Sequence, residues 1–218
     1  MRWRRVRLDG SNPHIRDRVA FVGAFAPYAS MRTLAQDIAT ATWCRDGVRE
    51  RWAVDPLTRK VYVHSLTAVL APGEATQLRN ALAEPDGHLD PTDLSVEGQA
   101  IYPLLTVLTA DQAEAALRQL PAVLQNRLLD TMSPLKYLPE LQAPLVVLMH
   151  DHDDPVIPLA ESVRLRDALV GRAGVHYTEF VMFKHLDPTK VRLHLLPLLR
   201  ELGRFYLAFY PVFRQVEA

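Results

Sequence analysis

Three stretches of the chain read as buried strands, residues 18–26, 144–150 and 176–183, and the first two are almost continuously apolar. The first two do not alternate apolar with polar positions. That pattern is expected of parallel strands covered on both faces, because neither face meets water. Helical periodicity separates the three runs, so the pattern predicts an α/β fold: a small parallel sheet flanked by helices.

Roughly half of the chain lies between the first and second runs, and most of it reads as helix. Residues 31–43 keep Leu34, Ile38 and several alanines near one face. Residues 57–70 read as a second helix, weakened by the β-branched Val61, Val63 and Val69. Thr109-Ala110-Asp111-Gln112 has the form of a capping box ahead of a helix over 110–120. Pro121 suits the first turn of a further helix through Leu129. Asp86-Gly87 and Asp90-Pro91 mark loops. These signals predict one domain, with a sheet core over residues 12–56 and 131–218 and a helical cap inserted over 57–130. Beyond the second run, residues 158–170 read as a helix. Residues 189–215 read as a long terminal helix bent or broken at Pro197 and Pro211, with Phe205, Phe209 and Phe213 as a core-facing stripe.

Composition narrows the function classes. Lys and Arg number 25, Asp and Glu 25, so the net charge is zero and there is no electrostatic footprint for nucleic acid. The single cysteine, Cys44, excludes an internal disulfide or a multi-cysteine metal site. No run of about 18 apolar residues is present, so no membrane span is expected. The basic start, Arg2 to Arg7, lacks the apolar segment of an export signal, and a cytoplasmic location is expected.

The densest chemistry is His150-Asp151-His152-Asp153-Asp154-Pro155-Val156-Ile157-Pro158, at the C-terminal end of the second run, where open α/β sheets place their ligand crevices. A second group, Lys184-His185-Leu186-Asp187-Pro188, follows the third run. Between Asp154 and His185 there is room for a loop, a helix, a turn and a strand. If the two strands are parallel neighbours, both residues emerge at one sheet edge. A carboxylate against an imidazole fixes its tautomer and stabilises its protonated form, as a general base requires.

Residues 143–158, followed by a helix, a strand and His185, resemble the C-terminal part of the α/β-hydrolase fold. The similarity extends to Ser133-Pro134-Leu135-Lys136-Tyr137-Leu138 and to residues 18–23. The branch most resembled is that of dienelactone hydrolases and prolyl-oligopeptidase-like esterases. The resemblance implies Asp154 as the acid, His185 as the base, an ester or related acyl bond as substrate, and no cofactor or metal. It also implies a Gly-x-Ser-x-Gly nucleophile elbow, and none occurs in the sequence. Since residues 18–26 match the strand after the elbow, the elbow is expected upstream of residue 1. The chain then reads as a hydrolase lacking its nucleophile and oxyanion hole, or as a non-catalytic remnant that binds a partner. The edge left open over residues 19–25 predicts self-association.

Other candidates read more plainly. Ser30 fits a helix N-cap better than a substitute nucleophile, and Ser11 and Ser133 fit turns. His150-x-His152-x-Asp154 opens like a metallo-β-lactamase ligand motif but continues with Pro155 where that motif has histidine.

Overall fold

The computed structural model describes residues 15–45, 47–83, 89–181 and 195–216. The chain divides into two compact units, Met1–Ser30 with Met132–Ala218, and Met31–Thr131.

The first unit is α/β. Strand β1 (Phe21–Phe25) begins it. The second unit, inserted next, runs through α1 (Met31–Thr40), β2 (Thr42–Arg45), β3 (Val48–Arg51), α2 (Pro56–Leu66), α3 (Pro72–Ala83), α4 (Val96–Ile101), α5 (Ala110–Gln119) and α6 (Ala122–Leu124). The first unit then resumes with β4 (Leu145–Asp151), α7 (Leu159–Ala168), β5 (Val175–Phe180) and α8 (Leu195–Val216).

The sheet has the order β1-β4-β5, all parallel, with Phe21 opposite Leu145 and Val147 opposite His176. All seven residues of β4 are buried, which is why its sequence does not alternate. The period of two survives in where the side chains go. Val146 and Leu148 pack with Leu165 of α7, with Leu169 at its C-cap and with Leu141. Leu145, Val147 and Met149 pack with Phe180, Ala208 and Val212 on the α8 side.

The terminal helix differs from expectation. It runs unbroken through Pro211, and Pro197 falls in its first turn, where a missing N–H costs least. Residues 189–194 lie outside the described residues. The stripe on the core is Phe205, Ala208, Phe209 and Val212, and Phe213 is exposed. That is the i, i+3, i+4, i+7 spacing of a helix face, which a strict four-residue step drifts away from.

In the inserted unit, described residues between 57 and 130 contain helices and no paired strands. The compact unit starts at Met31, ahead of residue 57, because α1 packs on α5 and belongs with it. The helix expected over 31–43 stops at Thr40. Ala41 takes a positive φ, and β2 and β3 pair antiparallel, with Gly47 just before β3 at φ 79°. Helix α2 starts where Asp55 accepts from the amides of Leu57 and Thr58, with Pro56 next. The capping box at Thr109 is formed with Gln112. Pro121 stands at the N-cap, one position before the helix it was expected to open, and the chain continues as a π-helix, Gln125–Asp130.

Candidate functional site

At the end of β4 the chain turns sharply, and its own acids hold the turn. The Asp151 carboxylate accepts from the Asp153 amide at 3.1 Å, and the His152 amide donates to Phe180 O at 2.7 Å, carrying the β4–β5 ladder one residue further. Asp154 follows with its side chain fully buried. Its Oδ1 accepts from the amides of Val156 (2.7 Å) and Ile157 (3.0 Å), and its Oδ2 lies 3.9 Å from His150 Nε2. A carboxylate with one oxygen tied to backbone amides has a fixed plane, so its other oxygen points in one direction. That is the geometry for orienting an imidazole.

His185 lies outside the described residues, as do Lys184 and Asp187. The structure does bring β4 and β5 together as parallel neighbours, with Asp151 opposite Phe180, so both strands end at the same sheet edge. Asp153 is two-thirds exposed and bonds to the ring of His152.

His150 has the look of a triad member without the access. It is fully buried, its Nδ1 meets Ser162 Oγ, and its Nε2 faces Ile157 O at 3.0 Å. Ser162 Oγ also donates to Pro27 O at 3.1 Å. Through these contacts buried Ser162, His150 and Asp154 join α7 to the end of β4 and to the turn after β1.

That turn is held by a residue the sequence reading passed over. Glu161 is fully buried, and its Oε2 accepts from the amides of Ala29 (2.7 Å) and Ser30 (3.0 Å), while Oε1 pairs with Arg164. The same carboxylate, after desolvation by burial, helps push the Tyr28 phenol above its ordinary value. The only sequence sign was an acidic residue in the first turn of a helix, which usually means a favourable dipole contact at the surface. Ser133 Oγ donates to Ser30 Oγ at 3.5 Å. Glu201, also buried, accepts from the Val181 amide at 3.1 Å and pairs with Arg204, anchoring the chain as it leaves β5 toward His185.

The histidine–aspartate metal reading finds His150 inward and His152 half in solvent. Among the described residues no group of three His, Cys, Asp or Glu could hold a metal ion, and no helix is long and apolar enough to cross a membrane. No family model, no curated protein and no solved structure matches the chain.

Proposed function

We propose that the chain carries the acid–base pair of an α/β-hydrolase acting on an ester or related acyl bond. Asp154 orients and stabilises His185, which takes a proton from the attacking group and returns it to the leaving group. The observation that carries this reading is Asp154 itself: buried, plane-fixed by two amides, and at the edge where the neighbouring strand also ends. The resemblance of residues 143–158 to that fold supports it.

A low-field imidazole N–H proton in the NMR spectrum tests the pair. It should vanish in His185→Gln and in Asp154→Asn and persist in Asp153→Asn. Persistence in Asp154→Asn would remove Asp154 from the role. The absence of Gly-x-Ser-x-Gly from the sequence supports a second reading, a non-catalytic binding module. On either reading, no serine-directed fluorophosphonate labelling is expected. Hydrolysis of an activated ester that disappears in Ser30→Ala would instead make Ser30 the nucleophile.

A further inference from the structure

The inserted unit contains a cleft of about 470 Å³, within the size range of small-molecule sites. Helix α2 contributes Arg59, Lys60 and His64, the last two one turn apart, and α3 contributes Arg79 and Asn80. Val63, Leu82 and Leu105 add an apolar part to the wall, and among the described residues no carboxylate lines it.

The two arginines are set in place by neutral partners. Arg59 Nη2 donates to Leu105 O at 2.7 Å, and Arg79 Nε donates to Thr67 Oγ1 at 2.8 Å. A carbonyl or hydroxyl fixes a guanidinium without neutralising it, so both keep their charge while losing little further freedom on binding an anion. Lys60 and His64 are exposed and can swing onto a ligand. The same field acts on His64. Desolvation first, and then the charges of Arg79 and Lys60, hold its imidazole below the ordinary value.

We propose that this cleft binds a phosphate monoester: a dianionic phosphate held by Arg59, Lys60, His64 and Arg79, with an apolar body against Val63, Leu82 and Leu105. Three permanent positive charges, Arg59, Lys60 and Arg79, favour a dianion over a single carboxylate. The apolar wall favours a ligand carrying more than phosphate alone. The cleft's residues belong to the inserted unit, and Asp154 and His185 to the other, so the two readings stand or fall separately.

The test follows the His64 ring signal, assigned with His64→Gln, in the full chain at constant ionic strength. Phenyl phosphate should raise the His64 pKa saturably and more tightly than inorganic phosphate does. The exposed substitution Lys60→Glu should weaken binding by about tenfold or more, since it replaces an attractive charge by a repulsive one. Response to the soluble phosphates identifies a free ligand. Response only to phosphatidic-acid vesicles, lost in Lys60→Glu, identifies the same group on a lipid. No saturable response to any of the three, or equal binding by Lys60→Glu, overturns the proposal.

Discussion

Tyr62 shows how a single side chain can be buried at a cost. Its ring fills the core of the inserted unit, but its hydroxyl has no hydrogen-bond partner among the described residues. An unsatisfied buried hydroxyl loses water and gains nothing in return. Tyr62→Phe is therefore expected to leave urea stability unchanged or raise it by up to about 1 kcal/mol. A clear loss would reveal an unrecognised partner. Burial also pushes this phenol far above its ordinary value, with Arg59 opposing weakly, and Tyr28 is shifted the same way. Above pH 10 the unfolded chain releases these protons while the folded chain retains them, so stability must fall as pH rises. Tyr62→Phe should flatten that alkaline fall, leaving the Tyr28 part. At this scale the sequence singled out Asp154, whose side chain is fully buried, only through the run it precedes, Pro155 to Pro158. It was silent on Glu161, whose partners are two amides far away in the chain.

Elements were legible where one force dominated them. The continuous apolar run of β4 announced burial on both faces, and the capping box at Thr109 announced α5. The β2–β3 hairpin escaped because Arg45, Arg49, Glu50 and Arg51 mask any alternation and β3 is exposed throughout. Its one local sign was Asp46-Gly47, a turn pair that suits a two-residue hairpin. The entry to β5 depends on another glycine. Gly174 has φ 73°, and a Cβ there would sit 2.1 Å from Pro144 O, while Gly174 O accepts from the Val146 amide. Gly174→Ala should cost about 2–3 kcal/mol in urea unfolding, from strain in the left-handed region plus the backbone clash. A cost below about 1 kcal/mol, comparable to a surface change, would mean that the β4–β5 entrance relaxes freely.

For the molecule as a whole, two surfaces of the sheet-bearing unit are unusual. Strand β1 is an edge of the described sheet, with Phe21 exposed. Helix α8 turns Leu196, Leu199, Tyr206, Leu207 and Phe213 outward, opposite the face that packs on the sheet. Uncharged edges and apolar patches promote association. Sedimentation is expected to show concentration-dependent self-association of the 218-residue chain. Phe21→Lys, which places a charge on the edge, should reduce it. A monomer at all concentrations would show that these surfaces do not pair with copies of themselves. That the sheet is parallel was readable from the apolar runs of β1 and β4. The division at Met31 was not, because it depends on which helices α1 packs against.

The pairing of Phe21 with Leu145 also has a kinetic consequence. It closes a loop roughly four times longer than the one closed by Val147 and His176. Two doublings of loop length cost about 1.2 kcal/mol more in chain entropy. A parallel β4–α7–β5 nucleus therefore has the advantage in time, and β1 must find it across the whole insertion. Helix α1, at the start of the insertion, packs against the π-helix at its end. Once that unit is formed, its ends are held and the long search becomes a short one. The inserted helices thus act as an internal clasp, and mutations that loosen their core should slow the recruitment of β1 without touching the sheet.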